Sequence, residues 1–201
     1  MSDLERWQTR FGTSDYIFGK EPNAFLKAQA HRLPASGSAL SIADGEGRNG
    51  VWLAQQGLDV LAVDFSPAAL EKSRALAAER GVRLRTEVAD VTTWRWPAAA
   101  FDVVVAIFVQ VVFPTERTAF FANLKRVLKP DGLLLMQGYR TEQLTFRTGG
   151  PPEAERLYTR ALLQEAFDDM AQLDISEHDS AISEGTAHIG MSALIDLVAR
   201  K

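Results

Sequence analysis

The sequence predicts a doubly wound α/β domain, a mostly parallel sheet with helices on both faces that is finished by an antiparallel hairpin. Three observations carry that prediction. Short apolar runs alternate with helical patterns from residue 39 to residue 139; a glycine-rich turn directly follows the first of those runs; and the last two strand candidates are joined by too few residues to hold a crossover helix.

Residues 39–43 (ALSIA) read as a buried strand, and residues 51–56 continue from the turn as a helix closed by Gly57. Residues 59–63 (DVLAV) are a second buried strand, after which Ser66 offers a capping hydroxyl and Pro67 a first helical position for a helix over 68–80. Residues 82–88 alternate apolar and charged side chains, as a half-exposed strand does, whereas 101–107 (FDVVVAI) is almost wholly apolar, as a central parallel strand is. Thr115 is expected to cap a helix to residue 128, Lys129-Pro130-Asp131-Gly132 to turn the chain, and 133–136 to enter a fifth strand. Beyond Tyr139 the pattern changes. Gly149-Gly150-Pro151-Pro152 marks a long loop, and Thr159 caps a helix to Phe167. The strand candidates 173–182 and 188–199 follow, joined by Glu184-Gly185-Thr186-Ala187, a link that forces an antiparallel pair.

Composition narrows the functions. With 201 residues, 46% of them hydrophobic and 24% charged, the chain has room for one domain and a substantial core, so residues 1–201 are expected to form a single unit: an N-terminal helical or lid segment (1–36) and a Rossmann-like core (37–201). The formal charge of −4 offers no field for a phosphate backbone, and the densest basic group, Arg74, Arg80, Arg83 and Arg85, reads as solvation of a helix and a strand edge; no nucleic-acid partner is expected. There is no cysteine, hence no disulfide or thiolate chemistry, and His31, His178 and His188 are too scattered for a metal cluster, so no metal is expected. Neither a signal-peptide pattern nor an apolar run of about 20 residues is present, and the reading is a cytoplasmic protein without a membrane partner.

Gly45-Glu46-Gly47-Arg48-Asn49-Gly50 fits the G-x-G-x-x-G fingerprint after a strand and at a helix start, and Asp64 ends the second strand nineteen residues after Gly45. Both features fit a nicotinamide dinucleotide and S-adenosylmethionine alike, because each presents an adenosine to that sheet edge. Electrostatics separates them. A pyrophosphate on the helix amino terminus would be repelled by Asp44 and Glu46, which bracket the first glycine, whereas the sulfonium and ammonium of S-adenosylmethionine favour acidic neighbours and its carboxylate can accept from backbone amides or Arg48. Asp90, with Val91 behind it, follows the third strand, so acidic residues close the first three strand–loop junctions in turn.

These residues resemble class I S-adenosylmethionine-dependent methyltransferases, and within them the tellurite-resistance and thiopurine-methyltransferase-like branch. ALSIADGEGRNGVWLA is similar to that family's first motif, VLAVDFSPAAL to the second, VAD to the third, FDVVVAIF to the fourth and LKPDGLLLM to the entry of strand five; residues 16–23 (YIFGKEPN) look like the segment that folds over the site, and LVARK is a typical ending. The resemblance implies a seven-stranded sheet in the order 3-2-1-4-5-7-6. It places Asp44, Gly45 and Gly47 at the methionine end of the cofactor, with Glu46, Arg48 and Asn49 in the same turn. Asp64 falls at the ribose hydroxyls with Ser66 beside it, Phe65 or Val91 against the adenine, Asp90 at its amino group, and Ile107 beside the methyl donor. The chain departs from the pattern at Ser41, where many members have aspartate, and at Ala43, where they have the first glycine.

Methyl transfer from a sulfonium is an in-line displacement, so alignment is the protein's main task. A small-molecule acceptor, a thiol or a chalcogen oxyanion such as tellurite, is expected beyond the fourth strand, bounded by Phe108 to Phe113, by Tyr16 and Phe18 of the 16–23 segment, and by the 149–152 loop, with Gln110 as a polar group to orient it. An alcohol or amine would need a general base, and His188, which opens the last strand, is the candidate. Trp94 and Trp96 are expected to cover the sheet edge. Two other functions remain compatible: an NAD(P)-dependent oxidoreductase, and a non-catalytic S-adenosylmethionine-binding protein.

Overall fold

The computed structural model describes residues 3–201. Seven strands, β1 (Gly37–Ile42), β2 (Leu58–Asp64), β3 (Arg85–Val88), β4 (Phe101–Ile107), β5 (Leu128–Tyr139), β6 (Gln172–Glu184) and β7 (His188–Arg200), form one sheet in the order β3-β2-β1-β4-β5-β7-β6. The first five run parallel, while β7 is antiparallel to both β5 and β6. This is the expected doubly wound, Rossmann-like fold, with its strand order and antiparallel finish.

Among the described residues seven α-helices accompany the sheet: α1 (Asp3–Phe11), α2 (Ala24–Ala28), α3 (Arg48–Gln55), α4 (Pro67–Glu79), α5 (Pro114–Val127), α6 (Gln143–Phe146) and α7 (Arg160–Phe167). Alternation along the central strands assigns the two faces. Leu40, Ile42, Val104 and Ala106 pack with Phe120, Leu124 and Phe167 of α5 and α7, whereas Ala39, Val103, Val105 and Ile107 pack with Leu26, Trp52 and Leu53 of α2 and α3. Both faces are covered, which is why 101–107 reads as an almost wholly apolar run.

Local chemistry sets the helix starts. The Ser66 hydroxyl accepts from the Ala69 amide at 3.2 Å with Pro67 at the first helical position, and the Thr159 hydroxyl accepts from Leu162, as expected. Thr115 does not cap. Phe113 occupies the cap position without a side-chain bond and Pro114 starts α5, because proline needs no amide partner there. The Lys129–Gly132 turn lies inside β5 as a bulge: Phe101 pairs with Leu128 and Val103 with Leu133, with Asp131 left-handed at φ 61°. β3 begins at Arg85, three residues later than the alternation suggests. Trp96 is buried against Phe120, with Trp94 beside it at 5.0 Å, so the pair covers the sheet edge. Arg74, Arg80 and Arg85 are separately engaged by Thr86, Glu21 and Asp59. Among the described residues no helix is long and apolar enough to cross a membrane.

Candidate active site at the carboxyl edge of the sheet

Where β1 ends, Ala43 takes a left-handed conformation, φ 46°. An alanine there is strained by about 1 kcal/mol, and the strain turns the chain sharply into Asp44. Gly47, φ 93°, is the α3 cap residue; a Cβ on it would lie 2.7 Å from Ser73 Cα, so the turn and α4 meet in contact that only glycine allows.

Three of the four sequence-flagged acids are buried around this turn. Asp44 accepts from the Ser41 hydroxyl at 2.5 Å and from the Gly50 amide at 3.0 Å through Oδ1, while Oδ2 has no partner. Ser41 therefore does not leave the strand-one position empty of charge: its hydroxyl holds a carboxylate supplied three residues later. Burial outweighs those two bonds and Arg48, with Asp64 nearby adding to it, and pushes the Asp44 carboxyl up to about 7. Asp64 accepts from the Gly45 amide at 2.9 Å and the Ser66 amide at 2.8 Å, tying the end of β2 to the glycine turn; burial raises it to about 6 against those bonds. Glu46 pairs with Lys72 at 2.7 Å and accepts from the Phe18 amide at 3.3 Å. Asp90 is exposed and accepts from the Thr92 amide and hydroxyl, a turn-forming role that leaves its outer face in solvent. Val91 is buried behind it, and its carbonyl accepts from the Trp96 indole at 3.1 Å; Phe65 is half-buried.

The N-terminal segment closes over the turn. Phe11 comes within van der Waals reach of Gly45, and Trp7, Phe11 and Phe18 pack ring on ring. Gln8 accepts from the Ser66 hydroxyl. Ile17 accepts from the Thr186 and Ala187 amides at the tip of the β6–β7 hairpin, and Asn23, fully buried, fastens the rest. The Asn23 amide donates to Asn49 Oδ1 at 3.0 Å, and its side chain donates to Gln137 at 2.7 Å and to Glu184 at 3.0 Å. Arg48 joins the same node through Glu184 at 2.8 Å, with Nη1 buried and unbonded.

Beyond Ile107 the chain is strained again. Phe108 is left-handed, φ 56°, an uncommon state for a bulky residue, and its ring stacks on Tyr139 at 4.7 Å and meets His188 at 4.6 Å. Phe18 contacts His188 at 4.6 Å from the other segment, and the Tyr139 hydroxyl is buried without a partner. His188 Nδ1 stands 3.8 Å from Glu184.

Two expected acceptor-side residues are placed elsewhere. Gln110 is bracketed to backbone, exchanging two bonds with Tyr139 and donating a third to the Arg156 carbonyl, which leaves no group to orient an acceptor. Tyr16 donates to the Lys72 carbonyl and packs with Val51, Leu76 and Ala77, fastening the segment to α4 rather than facing the site. The sequence reading missed Asn23, Tyr139 and Glu184, whose meeting depends on long-range folding; the one local hint was the acidic residue beside the Gly185 turn. A cleft of about 530 Å³ lined by Phe25, Arg32, Arg160, Asp174 and Asp196 lies along the hairpin, away from the glycine turn.

Strand order and glycine turn together define the class of fold, a Rossmann-like doubly wound α/β domain with an antiparallel finish. Residues 39–132 match the family model described as a methyltransferase domain. Uncharacterised proteins of Mycobacterium bovis and Mycobacterium tuberculosis are 30% identical over 95 residues, which is 47% of this chain and 34% of theirs, so the chain spans about a third of the length of these relatives. The fold is similar to a solved structure described with the conversion of a disulfide bond into a thioacetal group during echinomycin biosynthesis (TM-score 0.77, 18% identity, 100% of this chain and 92% of that one). It is similar too to a SAM-dependent methyltransferase from Methanosarcina mazei (TM-score 0.68, 17% identity, 90% and 98%).

Proposed function

We propose that this chain is an S-adenosylmethionine-dependent methyltransferase acting on a small-molecule acceptor, with residues 1–36 as its lid and 37–201 as its core. The observation that carries the reading is the buried acidic turn: Asp44, Glu46 and Asp64 crowd the first two strand ends, and burial raises the protonation of Asp44 and Asp64. A pyrophosphate brought to that turn would meet carboxyl groups; a cation would be welcomed by them. The same observation disfavours the NAD(P)-dependent alternative.

The residues present fit the cofactor. Asp44 has an unbonded carboxylate oxygen for an ammonium, Arg48 an unbonded guanidinium nitrogen for a carboxylate, and Asp64 sits where ribose hydroxyls would replace or join its amide donors. In this reading Gly45 and Gly47 would supply close backbone, Phe65 and Val91 would flank the adenine with Asp90 at its rim, and Ile107, the last residue of β4, would lie beside the transferred group. When bound, S-adenosylmethionine supplies an electrophilic methyl group on a sulfonium. The chain's own part is to orient and to exclude water: Glu46, Asn49 and Glu184 hold the lid down on the turn, and Phe11 and Phe18 cover it.

The test is thermal unfolding with S-adenosylhomocysteine and, separately, NAD(H). A bound ligand at a hundred times its Kd stabilises by about 2.7 kcal/mol, so S-adenosylhomocysteine should raise Tm by several degrees and NAD(H) should not. Stabilisation by NAD(H) alone would end the methyltransferase reading. Binding without turnover on any thiol, chalcogen oxyanion, phenol or amine would favour the non-catalytic alternative.

A further inference from the structure

Arg48 and Asn49 open α3, and each reaches from the glycine turn to a different part of the fold. Asn49 Oδ1 accepts from the Asn23 amide of the N-terminal segment, while Arg48 Nη2 lies 2.8 Å from Glu184 Oε2, at the end of β6. The other oxygen of Glu184 faces the N-terminal segment: Oε1 accepts from Asn23 Nδ2 at 3.0 Å and from the Ala24 amide at 3.2 Å. One planar carboxylate therefore meets the glycine turn with one oxygen and the lid with the other, so an orientation imposed on either is imposed on both. Gly185 comes next, its backbone so close to Ile17 and Gly19 that a Cβ has no room, and the Thr186 and Ala187 amides donate to the Ile17 carbonyl. The hairpin tip and the lid are thus docked backbone to backbone around Glu184.

The node is buried and incompletely bonded. Arg48 is 6% exposed and the Glu184 side chain 10%, yet Arg48 Nη1 and Glu184 Oε2 have no hydrogen-bond partner, so the two charges attract without an aligned hydrogen bond. His188 Nδ1, 3.8 Å from Oε2, is too distant to fix that oxygen. Arg48 also stands in the first turn of α3, where the helix dipole is positive and a further anion is favoured. We propose that Glu184 is a positioning residue that couples the carboxylate of the bound cofactor to closure of the lid, acting through Arg48. This deepens the methyltransferase reading and rests on it.

A carboxylate at Nη1 leaves Arg48 held between two anions, and its planar fork is then fixed from both sides. Glu184 is fixed in turn, and its Oε1 stays aimed at Asn23 and Ala24. Without that carboxylate Arg48 is held from one side only, and Glu184 and the lid share its looseness. Because Asp44 Oδ2 and Arg48 Nη1 are both buried beneath the closed lid, a ligand reaches them with the lid open, and closure follows recognition. Linkage makes the effect reciprocal: whatever the carboxylate adds to lid closure, lid closure adds to affinity for the carboxylate. The lid thereby selects an intact amino-acid end over an adenosine thioether that lacks the carboxylate.

The test is amide hydrogen exchange on the full chain, read at Asn23, Ala24, Thr186 and Ala187, whose amides bond across the boundary of the lid. Two ligands are compared at saturation: S-adenosylhomocysteine, and its decarboxylated analogue S-adenosyl-3-thiopropylamine, which keeps the adenosine, the sulfur and the amine. S-adenosylhomocysteine should slow exchange at these amides at least about tenfold more than the analogue does, a coupling of about 1.4 kcal/mol. Glu184→Gln, which keeps the shape and loses the charge, should bring the two ligands within about twofold while both still raise Tm. Glu184→Asp should restore part of the difference, and Glu177→Gln, in a pair with Arg160 elsewhere on β6, should leave it whole. A purely structural role for Glu184 would lower protection with both ligands alike and keep their ratio. Equal protection by the two ligands in the unsubstituted chain, a comparison that needs no variant to fold, overturns the proposal, as does a ratio that survives Glu184→Gln. If S-adenosylhomocysteine neither slows exchange nor raises Tm, the methyltransferase reading beneath the proposal is what fails.

Discussion

Replacing Asp44 by asparagine should stabilise the ligand-free protein above neutrality and not at pH 5. Asp44 is 7% exposed, its Oδ1 holds the Ser41 hydroxyl and Gly50 amide, and its Oδ2 has no partner. Burial keeps its proton to about pH 7, against 3.8 in an unfolded chain. The folded pKa is thus raised above the unfolded one. Between those values the unfolded chain has released a proton that the folded chain still binds, so stability falls as pH rises, by about 1.4 kcal/mol per pH unit and about 4 kcal/mol across the window.

Asparagine has no proton to lose, and its Oδ1 can keep both existing bonds. Its amide nitrogen then takes the unpartnered position, which costs about 1–3 kcal/mol. The net expectation is a gain of about 1–3 kcal/mol at pH 8, roughly 2–10 °C in Tm for a chain of this size, and a neutral or slightly destabilising change at pH 5. Urea unfolding at pH 5, 6, 7 and 8 reads the difference directly. A stability change of the same size at every pH would refute the reasoning, because it would mean that Asp44 carries no burial cost in its ionised form.

Asp64→Ala should weaken ligand binding by about 1.5–3 kcal/mol and, in urea unfolding at pH 4, where the burial cost of its own charge is small, should cost the ligand-free protein about 2 kcal/mol, since it strands the buried Gly45 and Ser66 amides; unchanged stability there would show that water replaces the carboxylate. S-adenosylhomocysteine, whose ammonium survives methyl transfer, should release protons on binding at pH 6–7 as Asp44 and Asp64 ionise beside it. Titration calorimetry in two buffers of different ionisation enthalpy measures this, and proton uptake would contradict the acidic-turn argument.

Where a structural cause is local, the sequence carries it. Phe101–Ile107 is legible to the residue because every side chain but Asp102 is apolar, the Ser66-Pro67 start of α4 because cap and proline coincide, and the β6–β7 pair because three residues cannot cross over. The site was legible only in part. Asp44, Glu46 and Asp64 lie near one another as expected, since strand ends share one edge of the sheet; but Glu46 meets Lys72 and the Phe18 amide, 26 and 28 positions away, and the Asn23–Glu184 bond beside the turn spans 161 positions. Gln110 and Tyr16 misled for the same reason. A glutamine leaving a strand looks unpaired until β5 offers it the Tyr139 backbone, and a tyrosine in a lid looks inward until α4 offers it the Lys72 carbonyl.

The polar groups of the turn divide between two tasks, and the division explains why so much acid is tolerated there. Glu46, Asn49 and one nitrogen of Arg48 are committed to holding the N-terminal segment and the hairpin tip, each with a defined partner. Asp44 Oδ2 and Arg48 Nη1 are buried with none. Without a ligand those atoms only cost stability, and the carboxyls answer by holding protons into the neutral range. A zwitterionic amino-acid end would meet both at once, ammonium to carboxylate and carboxylate to guanidinium, restoring the charged form of Asp44 without leaving it unpaired. A phosphorylated ligand could satisfy Arg48 but would drive Asp44 and Asp64 further towards protonation. The stability defect at Asp44 and the ligand preference of the turn are thus one physical property seen from two sides.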